Sequence, residues 1–239
     1  MNICIDIGNT NTKLGFFSGN DLLEIRQNVA DREILKIIKE TKPENVLLSS
    51  VRKGIGKIVE GSSKIAKTYV LSHVTPLPIQ ILYETPRTLG ADRIAVAVGA
   101  GFLHNNQNCL IIDIGTCITY DFIDKSGQYH GGGISPGVEM KLKAMHKFTS
   151  KLPVVAAKGK QKLIGKTTKE CMLSGVINGT IAEMEGIISR YEQFFDDLTI
   201  IICGGEAIFF ESKIKGHIFA VQNLVLVGLN QILRFNLND

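Results

Sequence analysis

The sequence has no tryptophan, and its five cysteines form no C-x-x-C pair. An odd number of cysteines without metal-ligand spacing argues against a disulfide framework and against a zinc site, so we expect reduced thiols in a cytoplasmic protein. No apolar run approaches the roughly eighteen residues that a membrane helix needs, so no membrane partner is expected. The N-terminus also lacks the basic segment and apolar stretch of a secretion signal.

Acidic residues are missing between Lys141 and Lys169, a segment that carries nine lysines. A solvated helix face followed by a loop is the ordinary interpretation of such a run, and a rim that attracts phosphate is the alternative. Nucleic acid is not an expected partner, because arginines and interleaved aromatic residues are lacking there. Over all 239 residues the net charge is only +4, with 44% hydrophobic and 21% charged residues, as in ordinary soluble globular proteins.

What the sequence does have is a repeated phrase. The segments CIDIGNTNTK (4–13) and IIDIGTCITY (111–120) both consist of an apolar strand that ends in Asp-Ile-Gly and a polar turn, so that Asp6 corresponds to Asp113. Backbone N–H groups of a glycine-containing turn can approach phosphate oxygens closely, and the aspartate before each glycine can hold a cation directly or through water. We therefore expect the two turns to face one another and to hold a polyphosphate between them.

The first half of the chain alternates strands with helices. After the opening strand, a hairpin turns at Gly19 and Asn20, and a helix follows with Asp31 as its N-cap. The stretch 76–93 contains three prolines and predicts an irregular surface loop of the kind that carries functional groups. A helix of small residues comes next, and a polar break then precedes the second copy of the opening phrase.

The second half repeats this order, which places the chain in the α/β class. A hairpin runs through DKSGQY, and the segment GGGISPG (131–137) predicts tight backbone turns before a helix that begins at Val138. A long amphipathic helix over 174–195, a buried strand and a final helix follow. We place the domain boundary at the polar break, so that the predicted domains are 1–104 and 105–239.

With these motifs the chain resembles the superfamily of acetate and sugar kinases, heat-shock chaperones and actin. DIGNTNTK is similar to its first phosphate motif, DIGT to its second and IIICGGE to its adenosine motif. The resemblance implies two duplicated ribonuclease H-like (actin-like ATPase) domains with a central mixed sheet flanked by helices. Four further stretches resemble the type III pantothenate kinase family: YETPRTLGADR, DIGTCITYD, GGGISPG and IGKTTKECMLSG. Departures are minor, since Cys117 stands where the family often has alanine and Cys203 where threonine is usual.

The family resemblance implies an activity and its partners. It implies ATP-dependent phosphorylation of pantothenate to 4′-phosphopantothenate, the first step toward coenzyme A, by a homodimer that uses Mg²⁺ with ATP and a monovalent cation, K⁺ or NH₄⁺. One alternative is a kinase of the same fold that acts on another small hydroxyl substrate. A second is a non-catalytic transcriptional accessory relative, for which the lysine-rich segment is the only support. A third is a chaperone-like or actin-like ATPase, for which the chain is short.

Asp92 and Arg93 are the central candidates for the acceptor side of this reaction. A carboxylate within hydrogen-bond reach of an acceptor hydroxyl can orient it and take its proton, and the resemblance implies this general-base role for Asp92. From the residues alone, an N-cap for a helix over 93–103 is the favoured interpretation of Asp92. The resemblance implies that Arg93 pairs with the carboxylate of the substrate, and the alternative is a surface salt bridge.

The resemblance also implies the remaining site residues. Asp6 would position Mg²⁺, through water, and Asp113 would bind the monovalent cation; the alternative for Asp6 is an Asx-turn at a strand end. Whether GGGISPG contacts the nucleotide or only shapes a loop stays open, and Thr168 could serve the pocket of a neighbouring subunit. The implied ATP contacts are Asp6, Gly8, Asn9, Thr10, Lys13 and Thr116. The implied pantothenate contacts are Tyr83, Gly90, Ala91, Arg93 and Thr168.

Overall fold

Strand β1 (Asn2–Ile7) lies at the centre of the first sheet. The structure, a computed structural model, describes residues 1–158 and 162–237. β1 pairs antiparallel with the strand that follows it in sequence and parallel with β4, so this sheet is mixed. The strand order is β3 (Asp21–Gln27), β2 (Thr12–Ser18), β1, β4 (Asn45–Ser50) and β5 (Lys67–Val70). The predicted hairpin is confirmed, since β2 and β3 join at Gly19, whose φ of +57° is left-handed.

Helix α1 (Asp31–Thr41) covers one face of the first sheet through buried Ile34 and Ile38. Its predicted N-cap, Asp31, is wrong by one residue, because the helix is capped at Ala30. Alanine has no side-chain acceptor, and Glu33 instead accepts a hydrogen bond from the Ala30 N–H at 3.1 Å. The Asp31 side chain therefore does not cap the helix, and it forms an ion pair with Arg52 instead.

The second sheet has six strands, and the second copy of the repeated phrase forms one of its inner strands. Its order is β11 (Ile218–Ala220), β10 (Leu198–Cys203), β7 (Asn108–Ile114), β8 (Cys117–Ile123), β9 (Gln128–Pro136) and β6 (Gln80–Ile81). The expected loop at GGGISPG is wrong, because all but its last residue continue β9. The glycines there let the strand adopt a φ of +98° at Gly131 without leaving the sheet.

Helices pack on both sheets. They are α2 (Gly56–Ser63), α3 (Ala91–Leu103), α4 (Val138–Lys147), α5 (Thr168–Glu192), α6 (Ala207–Glu211) and α7 (Leu224–Leu237). The predicted start of α4 at Val138 is confirmed, whereas α5 begins and ends a few residues earlier than the pattern indicated. Among the described helices, none combines the length and the apolarity that would let it cross a bilayer.

The described residues form two compact units. The first comprises Met1–Cys109, Asp121–Gly131 and Asn223–Asp239, and the second comprises Leu110–Tyr120 and Gly132–Gln222. The first unit includes α7 because this helix packs closely on α3, where a Cβ on Gly99 would lie 2.7 Å from the Leu224 carbonyl oxygen. This close packing of backbones fixes α3, whose first turn carries Asp92 and Arg93. The core of the second unit lies between β7, β10 and α5.

Candidate active site

Asp92 lies in the first turn of α3, and Gly90 leaves room for its carboxylate. The helix is capped at Gly90, so the interpretation of Asp92 as an N-cap is wrong. Asp92 Oδ1 accepts a hydrogen bond from the Arg93 N–H at 2.9 Å. A Cβ on Gly90 would collide with this same oxygen, which explains why the position before the helix carries glycine. Asp92 is half-buried, so a substrate can still reach it.

Arg93 is buried and forms an ion pair with Asp121. Its side chain is 7% exposed and that of Asp121 is 0% exposed, so the surface salt bridge considered from the sequence is wrong. Arg93 Nε donates to Asp121 Oδ1 at 2.8 Å, Nη2 lies 2.8 Å from the same oxygen, and the Tyr129 hydroxyl donates to it at 2.6 Å. We call Tyr83, Asp92, Arg93, Asp121 and Tyr129 the arginine cluster.

Electrostatics keep Arg93 and Tyr129 in defined protonation states. Burial is the largest single influence on the pKa of Arg93 and acts to lower it. The charge of Asp121, its hydrogen bond and the two neighbouring tyrosines together outweigh burial, so the Arg93 pKa is raised and the guanidinium stays charged. Burial, followed by the Asp121 charge, raises the pKa of Tyr129, so its hydroxyl keeps its proton and donates. At the Asp121 carboxylate, the cluster therefore combines a cationic donor, Arg93, with a neutral donor, Tyr129.

Tyr83 covers the cluster from the proline-rich segment. Its ring centroid lies 5.8 Å from the Arg93 guanidinium carbon, at the distance of a cation–π contact. The ring also packs on Gly131, where a Cβ would come within 3.0 Å of it. Gly131 thus leaves room for Tyr83. The structure places Tyr83 against Arg93, which follows Gly90, Ala91 and Asp92 in sequence.

The first Asp-Ile-Gly turn (residues 6–12) lies in the first unit, between β1 and β2. The Gly8 N–H donates to the Asn11 carbonyl at 3.0 Å, which closes the turn. Asn11 Oδ1 accepts a hydrogen bond from the Asn28 N–H at 2.7 Å and so anchors the turn to the end of β3. Asp6 and Lys13 are half-buried, while Asn9 and Thr10 are exposed at the tip.

Arg52, which the sequence reasoning missed, lies beside this turn. Its Nη2 donates to Thr12 Oγ1 at 3.2 Å and to Asp31 Oδ1 at 2.9 Å. Its Nε is buried and meets no hydrogen-bond partner among the described residues. The available signal was the basic pair Arg52 and Lys53, which begins two residues after the end of β4, because parallel neighbours such as β1 and β4 end at the same edge of a sheet.

The second Asp-Ile-Gly turn (residues 113–117) lies in the second unit and is enclosed by backbone. The Gly115 N–H donates to the Cys117 carbonyl at 2.9 Å, and the Gly137 N–H donates to the Thr116 carbonyl at 3.1 Å. Gly204, with φ +92°, packs so closely that a Cβ there would collide with Asp113 Oδ1 and lie 2.5 Å from the Ile114 carbonyl. Asp113 is half-buried in this cradle, and Thr116 is exposed.

An acidic residue, Glu206, contacts the second turn. Glu206 donates its N–H to the Ile114 carbonyl at 3.1 Å. Burial, and then the nearby charge of Glu139, raise the pKa of the Glu206 carboxyl. In the described parts of the chain, no three His, Cys, Asp or Glu side chains cluster as a metal site. A cation bound at either turn would therefore take most of its ligands from backbone, water or phosphate oxygens.

The lysine-rich segment is partly neutralised within the second unit. Lys141 Nζ donates to Glu183 Oε2 at 2.6 Å, and the Tyr120 hydroxyl donates to Glu183 Oε1 at 2.8 Å. Lys143 pairs with Glu139 and Lys162 with Glu170; Lys160 lies outside the described residues. Thr168 is the first residue of α5, which Thr167 caps by accepting a hydrogen bond from the Glu170 N–H.

Solved structures with the same architecture support the α/β, actin-like fold. A Campylobacter jejuni protein described as a Baf family transcriptional activator matches with a TM-score of 0.68 at 18% identity, covering 99% of this chain and 100% of its own. A Sinorhizobium meliloti protein described as a 2-dehydro-3-deoxygalactonokinase matches with a TM-score of 0.60 at 14% identity, covering 99% of both chains. At these identities the likeness establishes the fold alone.

Sequence relatives identify the family. The family model for type III pantothenate kinase matches residues 2–190. A type III pantothenate kinase of Cytophaga hutchinsonii is 42% identical, covering 99% of this chain and 100% of the relative. The enzyme of the same description from Phocaeicola vulgatus is 41% identical, covering 99% of each chain. The chain belongs to the type III pantothenate kinase family.

Proposed function

We propose that this chain transfers the γ-phosphoryl group of ATP to the primary hydroxyl of pantothenate, giving 4′-phosphopantothenate in the first step of coenzyme A biosynthesis. The family membership supports the reaction class and the substrate. The observation in the structure that carries the proposal is the arginine cluster. It sets a half-buried carboxylate, held by the Arg93 N–H, next to a buried guanidinium on the first turn of one helix.

Asp92 acts as the general base. Its Oδ1 is engaged by the Arg93 N–H, so the substrate hydroxyl binds at Oδ2, which takes the proton as the oxygen attacks phosphorus. The bond between the γ-phosphorus and the bridging oxygen of ADP breaks in line with that attack. Fixing the carboxylate in advance matters because phosphoryl transfer depends mainly on positioning and on electrostatic stabilisation.

The arginine cluster holds the acceptor substrate. Arg93 pairs with the pantothenate carboxylate, and Tyr83, Gly90 and Ala91 line the same site. Thr168 begins α5 in the second unit, and we propose that it completes the site of a neighbouring subunit in a homodimer. Because Arg93 is always charged, this contact persists across the physiological pH range.

The two Asp-Ile-Gly turns hold the nucleotide phosphates. In the first unit the backbone of the turn and Lys13 bind phosphate oxygens, and Arg52 adds a further cation at the same edge of the sheet. In the second unit Thr116 presents its exposed hydroxyl to the nucleotide. The proposed ATP contacts are those named from the sequence: Asp6, Gly8, Asn9, Thr10, Lys13 and Thr116.

The donor sets at the two turns fit two different cations. Asp6 stands at the end of β1 and offers a single carboxylate beside a polar turn, which suits Mg²⁺ that keeps several of its waters and binds phosphate. Asp113 stands with the Ile114 carbonyl in the cradle that Gly204 leaves open, and these oxygens suit a monovalent cation such as K⁺ or NH₄⁺. When bound, these cations offset the negative charge of the triphosphate.

The test is steady-state phosphorylation of pantothenate by the wild-type chain, with and without K⁺, beside Asp92→Asn. We expect Asp92→Asn to lower kcat by about 10²- to 10⁴-fold while both KM values stay within roughly threefold. The matched control is Asp124→Asn, which alters an acid of the same unit that pairs with His130 at the surface. Turnover that survives Asp92→Asn would remove Asp92 from its role. Activity on other small alcohols but not on pantothenate, under any cation, would remove the substrate assignment.

A further inference from the structure

The ion pair of Arg93 and Asp121 is buried more deeply than stability alone explains. Asp121 is fully buried and Arg93 nearly so. Removing two charges from water costs several kcal/mol per ion, and well-packed apolar residues of similar volume often stabilise a protein as well or better. A role in the site therefore explains this buried ion pair better than stability does, because Arg93 lies beside Asp92 in the first turn of the same helix.

Arg93 contacts Asp121 through the single oxygen Oδ1, and Arg93 Nη2 is left without a hydrogen bond. Nε, Nη2 and the Tyr129 hydroxyl all converge on Oδ1 of Asp121, so the arrangement is not the parallel two-bond fork that arginine forms with a carboxylate. Arg93 Nη2 is buried and lies 2.8 Å from Oδ1, but it forms no hydrogen bond with any acceptor in the described parts of the chain. Arg93 thus keeps donor capacity for a second carboxylate.

The Tyr129 hydroxyl competes with Arg93 for the negative charge of Asp121, because both donate to Oδ1. Its hydroxyl is the shortest of the three contacts to Oδ1, and its ring is fully buried, so the donor cannot turn away. By sharing the charge of Asp121, this hydroxyl leaves Arg93 with more attraction for another anion. Asp121 meanwhile holds the long arginine side chain in one orientation, since it projects from the fixed strand β8.

We propose that Asp121 and Tyr129 are positioning residues that hold Arg93 for the carboxylate of the acceptor, and that they make the site selective for an anionic acceptor over a neutral one with the same hydroxyl. The inference rests on the proposed kinase function and on the role of Arg93 in it. Asp121 and Tyr129 act through Arg93 and touch no reacting atom themselves.

The experiment compares two acceptors, pantothenate and pantothenyl alcohol, which share the primary hydroxyl but differ in the carboxylate. For Asp121→Asn and Tyr129→Phe we expect kcat/KM for pantothenate to fall on the order of tenfold, mainly through KM. The same constant for pantothenyl alcohol and the KM for ATP stay within about twofold. Matched controls in the first unit are Asp124→Asn and Tyr69→Phe, which leave the preference for pantothenate unchanged.

Each other outcome has a definite meaning. Parallel losses for both acceptors would show a merely structural role and overturn the inference, as would a wild-type enzyme that does not distinguish the two acceptors. An unchanged preference in both variants would overturn it as well. If Asp121→Asn does not fold, Tyr129→Phe alone decides, because it removes one hydroxyl and keeps the ring. A wild-type chain that phosphorylates neither acceptor would instead overturn the proposed function itself.

Discussion

The two Asp-Ile-Gly turns share a sequence phrase but differ in what surrounds them. The first is a longer turn whose tip, at Asn9 and Thr10, is exposed and whose closure uses its own backbone. The second is short and is packed against two glycines from elsewhere in its unit, Gly137 and Gly204. One phrase thus produces an open turn in the first unit and an enclosed turn in the second.

Their charges differ as well. Arg52 and Lys13 lie at or beside the first turn, and Arg52 reaches it through Thr12. The second turn instead has Glu206 next to it, with Glu139 close enough to raise the Glu206 pKa further. A basic surrounding favours the phosphate anion itself, whereas an acidic one favours a cation that accompanies it. These different surroundings are the basis for proposing different ions at the two turns.

The largest expected effect comes from adding a methyl group at a glycine of the first turn, Gly8, and at a glycine packed against the second turn, Gly204. Gly204→Ala forces a side chain into a left-handed conformation against the Ile114 backbone, and we expect it to lower the free energy of unfolding by about 3 kcal/mol or more. Gly8→Ala meets only the Asn11 carbonyl at 3.0 Å, and we expect a loss of about 1 kcal/mol. Urea unfolding of both variants measures the difference. Equal losses would show that the second turn is no more enclosed than the first.

A smaller effect is expected from the basic side of the comparison. Arg52→Ala removes a guanidinium from the first turn, so the KM for ATP rises roughly tenfold while the KM for pantothenate stays unchanged. Arg52→Lys keeps the charge without the fork and gives an intermediate value. The control is Arg26→Ala, whose arginine pairs with Glu24 at the surface of the same unit. A KM for ATP that is the same in Arg52→Ala and in the wild type would separate Arg52 from phosphate binding.

The smallest expected effect is on the pH dependence of the free energy of unfolding, through Glu206 beside the second turn. Because burial raises the folded-state pKa of Glu206, its favourable contribution is complete below the unfolded value of about 4.3 and is lost as the pH rises through the higher folded value. Glu206→Gln removes this dependence, so the variant gains stability relative to the wild type between pH 4 and neutral pH, as urea unfolding at several pH values can show.

Glu183 provides the control of opposite sign. Its burial opposes ionisation, but Lys141, Ser135 and Tyr120 donate to it and lower its pKa overall. Its contribution is present above the unfolded pKa and is lost as the pH falls through the lower folded value. Glu183→Gln therefore loses stability relative to the wild type as the pH rises. The same sign of pH dependence in both variants would contradict the assignment for Glu206.

Local patterns were sufficient to predict much of the fold. The strands of the repeated phrase, the hairpin at Gly19 and the helix from Val138 follow from apolar spacing and turn residues, which act within a few positions. A loop was one of two interpretations of GGGISPG, because three glycines are typical of one, yet all but its last residue belong to strand β9. Helix α2 was missed because its eight residues bury only Ile58 and Ser62 and show no apolar stripe.

Only those residues of the site that lie in sequence motifs could be predicted. Asp92 and Arg93 stand in a motif, but their surroundings depend on partners that are distant in sequence. An acid inside the apolar strand at Asp121 signals that a partner is needed, and the sequence does not say that the partner is Arg93 or that Tyr129 donates to the same oxygen. The inclusion of α7 in the first unit likewise depends on glycine packing that spacing alone does not reveal.

The central claim is that the two turns serve different ions, and a crossed cation titration tests it most directly. The rate of pantothenate phosphorylation is measured against Mg²⁺ and against K⁺ for the wild type, Asp6→Asn and Asp113→Asn. The account predicts that Asp6→Asn raises the Mg²⁺ needed for half-maximal rate by about tenfold or more and leaves the K⁺ dependence unchanged, while Asp113→Asn does the reverse. Variants that both shift the same cation, or a wild-type rate indifferent to K⁺, would contradict it.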